Sequence, residues 1–392
     1  MSVGCWNVRT LLDRQVSGRP ERQTALVCEE LCRLDLDIVA LSETRLSAED
    51  HLKEISSDYT IFWSGKPTGV KRESGVGFAM KSSIADKIEH PEGISDRIMR
   101  LRVPLTSGRF LSMISVYSPT LKASAEDLNS FYNALSETVN SVPKEDKLII
   151  LGDFNARVGA DNSTWSPLGR FGVGNINNNG LRLLEFCTQN NLAITNTFFR
   201  QKLKHKATWY HPRSGHGHLI DFIITRKSNL ADICNVKVLR SAECGTDHKL
   251  VRGKFKFCIR KKVRMEGVKV PKRIDVSKLM QDDICKQFQA GLDQVNLEES
   301  WDQFKNNMYT VGAETLGFKQ KKHQDWFDDN NLEINELLDE KHRQHLLVLN
   351  ASAADKKVAQ EKFKKTRAVL QSKLRDMKNA WWTKLSNDIQ SA

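Results

Sequence analysis

From residue 1 to about 257, short runs of apolar and β-branched positions alternate with stretches whose apolar residues recur every three or four places. The short runs at 2–8, 38–42, 59–63, 76–80, 98–103, 110–117, 148–151, 219–225 and 250–257 predict strands. Helical spacing lies between them. One helix is expected to open at Pro20 and run to about Leu34, proline being tolerated in a first helical turn. A second carries Leu128, Phe131, Leu135 and Val139 down one face, and a third over 181–190 follows the Asn/Gly-rich loop 172–180. Many strands with interspersed helices, several joined by hairpin-length gaps, predict a layered α/β sandwich.

The pattern changes near residue 258. The segments 259–264 and 268–273 are basic, one with a proline, and read as a linker that also has the composition of a nuclear address. Beyond it the strand pattern stops, and 333–349 and 355–385 predict helices. In the second, Phe363, Thr366, Leu370, Leu374, Met377, Trp381 and Leu385 form a stripe among Lys362, Lys364, Lys365, Arg367, Lys373, Arg375 and Lys378. A helical hairpin burying its own stripe is the first reading. The alternative is a basic helix laid on nucleic-acid backbone or on a protein partner. The expected organisation is therefore an α/β domain over 1–257, a basic linker over 258–275 and an α-helical extension over 276–392.

Hydrophobic residues make up 40% and charged residues 28% of the chain, an ordinary globular balance. No apolar run is long enough to span a membrane, and the first residues lack a signal-peptide layout, so an intracellular protein, nuclear or cytoplasmic, is expected. The eight cysteines show no zinc-type spacing and read as reduced thiols, with Cys28 and Cys32, one helical turn apart, expected to face the core together. A net charge of +12 favours a polyanionic partner, nucleic acid or an anionic surface.

Polar residues gather where the apolar runs stop: Asn7 after 3–6, Glu43 after 38–42, Asp153 and Asn155 after 148–152, Asp221 after Leu219-Ile220, and Asp247-His248 before 250. Singly, each is as well explained as a helix cap or turn former. Together they suit phosphodiester hydrolysis. Glu43 and Asp247 are hard oxygen ligands for Mg²⁺ or Mn²⁺. Asp153 can align or deprotonate a water, His248 can donate to a phosphate oxygen, and Asp221 can fix its tautomer. Asn7 and Asn155 are neutral donors or ligands. No GxSxG, P-loop or Cys/His nucleophile pattern competes.

The series Cys5-Trp6-Asn7-Val8-Arg9, Leu41-Ser42-Glu43-Thr44, Ser115-Val116-Tyr117-Ser118-Pro119, Leu151-Gly152-Asp153-Phe154-Asn155-Ala156, Ile220-Asp221-Phe222-Ile223 and Thr246-Asp247-His248 resembles, in order, the motifs of the endonuclease/exonuclease/phosphatase (DNase I-like) superfamily. The segments 152–159, 179–184 and 207–212 look more narrowly like the endonuclease of LINE-type retrotransposons and craniofacial development protein 2-like sequences. The resemblance implies a four-layer α/β sandwich that nicks DNA with Mg²⁺ or Mn²⁺. It assigns Asn7, Glu43 and Asp247 to the metal, Tyr117 to the scissile phosphate, Asp153 and Asn155 to water alignment and phosphate stabilisation, and Asp221 to orienting His248. Arg9 departs from apurinic-site endonucleases, which carry an acid there, and this counts against abasic-site repair and a second metal. Two other functions are consistent with the same residues: a domesticated, non-catalytic DNA- or chromatin-binding protein, and a phosphoinositide- or sphingomyelin-type phosphodiesterase.

Overall fold

The computed structural model describes residues 1–13, 22–106, 108–260, 274–295, 300–318 and 325–391. Its contacts divide the chain into two units, 1–261 together with 325–392, and 262–324. The helical region expected over 276–392 is thus shared between them.

The larger unit is built on two mixed sheets. One has seven strands in the order Ile233–Leu239, Leu250–Phe255, Ser2–Asn7, Ile38–Ser42, Val76–Lys81, Tyr59–Ser64 and Glu49–Glu54. The other has six, in the order Leu192–Ile194, Asp221–Arg226, Lys147–Asp153, Phe110–Tyr117, Ile98–Pro104 and Glu92–Ser95. Ser2–Asn7 pairs in parallel with Ile38–Ser42 across the helix Gln23–Arg33, and Phe110–Tyr117 with Lys147–Asp153 across the helix Ala125–Asn140. A parallel pair needs such a crossover, because a two-residue turn cannot bring the chain back to the same edge.

Side-chain alternation sorts these strands into layers. Val3, Cys5, Ile38, Ala40 and Phe78 of the first sheet meet Met99, Leu101, Met113, Ile149, Leu151 and Ile223 of the second in one core between the sheets. On the outer face of the first sheet, Trp6, Val39, Leu41 and Ile61 pack on Val27, Cys28 and Leu31 of Gln23–Arg33. On that of the second, Ile114, Ile150 and Phe222 pack on Phe131 and Leu135 of Ala125–Asn140 and on Leu183, Leu184 and Cys187 of Asn178–Gln189. The result is the four-layer α/β sandwich expected.

The C-terminal helices of this unit, Trp326–Asp329, Asn331–Asn350 and Lys356–Gln390, form a hairpin that is not independent of the sandwich. Leu370, Leu374 and Met377 of the expected stripe are buried with Trp326, Phe327 and Ile334, and also with Ala25 and Leu26 of the sandwich helix Gln23–Arg33. The smaller unit contains the helices Asp282–Leu292 and Trp301–Thr315, which approach each other where Gly291 meets Val311. Some expectations change. Cys28 is buried but Cys32 is exposed, because the buried stretch of this helix ends at Leu31 and its last residues meet solvent. Pro20 and residues 261–273 of the basic linker lie outside the described residues.

Candidate functional site

Strand parity decides which polar ends converge. In Ser2–Asn7, Val3 and Cys5 face the inter-sheet core, and Asn7 continues that face. Met113 and Tyr117, Ile149 and Leu151 before Asp153, and Ile223 after Asp221 follow the same parity. Tyr117 is directly opposite Asp153, and Asp153 directly opposite Asp221, so three neighbouring strands present one row across the second sheet. Ser42 closes the gap between sheets at this end, donating to the Val116 carbonyl at 3.0 Å and accepting from the Asp153 amide at 3.4 Å. Gly152 is needed beside it. A Cβ there would overlap the carbonyl of Val116 on the parallel neighbour, and its φ is +150°.

The row is joined by residues from the first sheet and its loops. Asn7 Nδ2 donates to Asp153 Oδ2 at 2.9 Å and to Glu43 Oε2 at 3.2 Å. The other Asp153 oxygen accepts the Asn155 amide at 2.8 Å. His248 Nδ1 is 3.1 Å from Asp221 Oδ2, and its Nε2 is 3.9 Å from Asp153 Oδ2. The His248 carbonyl accepts the Trp6 indole N–H at 3.2 Å, and Thr246 Oγ donates to the Asn7 carbonyl at 2.8 Å. Asn155 Nδ2 donates to the Ser118 carbonyl at 2.9 Å. These groups surround a cavity of about 700 Å³, lined by Asn7, Glu43, Tyr117, Asp153, Asn155 and His248 with Lys122, Arg157, Asn177, Trp209 and His218.

Six of the eight residues singled out in the sequence line this cavity, and Asp221 and Asp247 lie outside its lining. Asp221 is fully buried behind His248. Asp247 accepts the Trp209 indole N–H at 3.0 Å and lies 3.5 Å from the Arg9 guanidinium, so its carboxylate is already engaged at the rim. Asp153, Asp221 and His248 form a group whose ligand atoms all lie within 4.8 Å of one another, close enough to hold a metal ion. The Asp221 carboxylate and His248 Nδ1 are, however, spent on each other.

The electrostatics follow from burial. Asp153 is pushed up from the carboxylate range by desolvation and by Asp221 across the ladder, against the pull of His248 and Asn7. Burial alone would lower the His248 pKa, but the charge and hydrogen bond of Asp221, with Asp153 and Asp247, lift it to about 9. Burial and the charges of Glu43 and Asp153 raise Tyr117, which therefore stays a neutral phenol. Arg97 covers the Tyr117 ring at 5.2 Å and donates to its carbonyl. Two residues not assigned a role from the sequence join the site: Arg45, which ion-pairs with Glu43 just past the motif 41–44, and Trp209 of the segment 207–212, which holds Asp247. Only their positions in or beside the motifs could have pointed to them.

Two sheets back to back, with carboxylates, amides and an imidazole at one end of the inter-sheet seam, define the class as a DNase I-like α/β sandwich. The chain belongs to the Endonuclease/Exonuclease/phosphatase family, whose model matches residues 4–248. It is 32% identical over 255 residues to craniofacial development protein 2 of Bos taurus, covering 65% of this chain and 41% of that protein. The chain thus spans about two fifths of the length of this curated relative. In three dimensions it resembles the catalytic domain of Xenopus laevis APE2, with a TM-score of 0.50 at 19% identity over 67% of this chain and 94% of that one. The endonuclease domain of TRAS1, a telomere-specific non-LTR retrotransposon, matches at a TM-score of 0.43 and 15% identity, over 66% of this chain and 98% of that one.

Proposed function

We propose that this protein is a divalent-metal-dependent phosphodiesterase that nicks DNA, in the manner of LINE-type retrotransposon endonucleases. The observation that carries the reading is the polar chain Asp221–His248–Asp153–Asn7–Glu43, drawn from five separate strand ends, with the last four on the wall of one cavity and Asp221 buried behind His248. The net charge of +12 favours DNA over smaller phosphodiesters, and so do the exposed Lys362, Lys364 and Lys365, proposed to lie along nucleic-acid backbone. No described helix is long and apolar enough to cross a membrane. DNA as substrate favours the nucleus over the cytoplasm as the place of action.

The donor set fits a hard cation. The oxygens of Asn7, Glu43 and Asp153 line one cavity wall, and Arg45 beside Glu43 and His248 beside Asp153 offset the negative charge that a bound ion would share. Glu43 with Asn7 would hold Mg²⁺ or Mn²⁺, and Asp247 would join them by exchanging Arg9 for the metal. A bound ion would withdraw charge from the phosphate. The chain's own residues do the rest. Asp153, anchored through one oxygen by the Asn155 amide, aligns or deprotonates the attacking water. His248, kept cationic by Asp221, donates from Nε2 to a non-bridging oxygen, and Tyr117 and Asn155 hold the phosphate in place.

The test is nicking of supercoiled plasmid by the purified chain, with Mg²⁺ against EDTA. Wild type should nick only with the metal, and Asp153→Ala and His248→Ala should each lose roughly 10²–10⁴-fold in rate, the usual worth of a proton-transfer group. Gel shifts without nicking would replace the reading with a non-catalytic DNA-binding protein.

A further inference from the structure

We propose that the C-terminal helical hairpin is a working part of the site: Lys341 and Arg367 grip Glu243 and so position the loop that delivers Asp247 and His248. The catalytic consequence rests on the phosphodiesterase reading above. The loop 240–249 joins the strands Ile233–Leu239 and Leu250–Phe255. Near its apex the Glu243 side chain is 11% exposed, and it meets both long helices of the hairpin. Lys341 of Asn331–Asn350 lies 3.1 Å from Glu243 Oε2 and also donates to the Glu243 carbonyl at 3.2 Å. Arg367 of Lys356–Gln390 lies 4.0 Å from Oε1.

From Glu243 to the site, almost every residue is tied down. The Gly245 amide donates to Glu243 Oε1 at 2.9 Å, and the Cys244 carbonyl accepts from Gln23 at 2.7 Å. Thr246 Oγ donates to the Asn7 carbonyl and accepts the His248 amide at 3.2 Å, while Asp247 holds the Trp209 indole. A shift at Glu243 is therefore passed to Asp247 and His248 within five residues. The turn also leans on the sandwich: the Glu243 amide donates to Glu30 Oε1 at 3.0 Å, and Arg33 holds both oxygens of Glu30. Without Lys341 and Arg367, Glu243 is a nearly buried anion that has lost both ion pairs to the hairpin, and the turn opens to water.

Two readouts on the full chain separate positioning from simple stability. In ¹⁵N-labelled metal-free protein, the Trp209 indole N–H, assigned with Trp209→Phe, reports the Asp247 hydrogen bond. In parallel, kcat and KM are measured on supercoiled plasmid with Mg²⁺. Lys341→Met should shift or broaden the indole resonance and lower kcat about tenfold with KM within twofold. Lys341→Arg should restore both, and Arg343→Met, which removes only the exposed pair to Glu340, should change neither. Glu243→Gln and Arg367→Met serve as second variants should Lys341→Met fail to fold. An unmoved resonance, or an unchanged kcat, in folded variants overturns the proposal. Absence of nicking by wild type defeats the phosphodiesterase reading alone, and the indole resonance then decides the clamp.

Discussion

Four non-glycine residues that feed the site adopt left-handed backbone: Arg9, Glu43, Arg45 and Asn155, with φ of 62°, 58°, 58° and 48°. Each such residue costs on the order of 1–2 kcal/mol and persists only where its surroundings over-determine it. Here the turns bring Glu43 and Asn155 back over the strand ends instead of letting the chain run on. His248 is held as firmly by charge. Its pKa is lifted to about 9, above the ordinary value of 6.5, so its contribution to stability is fully present below pH 6.5 and is lost as pH rises through 9. In metal-free protein its ring nitrogens should show no titration by NMR between pH 6 and 8, and Asp221→Asn should bring the midpoint below 7. A wild-type midpoint below 7 would contradict the ion triad. Seven of the eight candidate residues were legible as polar positions ending apolar runs; Tyr117, inside a strand, came only from the family resemblance. What they touch was not, because Asp247 meets Arg9 and Trp209 only through folding, 238 and 38 residues away in the chain.

The strands predicted from alternation are the nine interior strands of the two sheets, and the four not predicted are their four edges: Glu49–Glu54, Glu92–Ser95, Leu192–Ile194 and Ile233–Leu239. An interior strand is paired on both sides and most are covered on both faces, which demands apolar sequence; Arg102 and Lys254 stand where the covering stops. An edge strand needs one partner and tolerates charge, as Glu49–Glu54, exposed at most positions, shows. Interior strands also leave no room for error. Gly152→Ala would drive a methyl into the Val116 carbonyl, separating the parallel pair that sets Tyr117 opposite Asp153. It should destabilise the protein by more than about 2 kcal/mol in urea unfolding. A loss within 0.5 kcal/mol would mean the strands relax more easily than the sandwich geometry allows.

For the molecule as a whole, the hairpin joins the sandwich through apolar contacts at Ala25 and Leu26 and through a nearly buried charge at Glu243. Burial would raise the Glu243 pKa, but Lys341 and Arg367 outweigh it and hold it at about 2. A depressed carboxylate stabilises the folded state above its unfolded value of 4.5 and loses that contribution as pH falls toward 2. Between pH 6 and 3 this group should withdraw about 2 kcal/mol of stability, at 1.36 kcal/mol per unit, and Glu243→Gln should flatten that part of the profile. The sequence by itself determined the interior strands, the helical stripes and the residue types of the site, because burial and period are local demands on composition. Only the tertiary structure decided that Tyr117, Asp153 and Asp221 share one row, that Arg9 occupies Asp247, and that helices a hundred residues downstream hold the His248 loop. Register and charge pairing depend on which surfaces meet, and no local pattern specifies that.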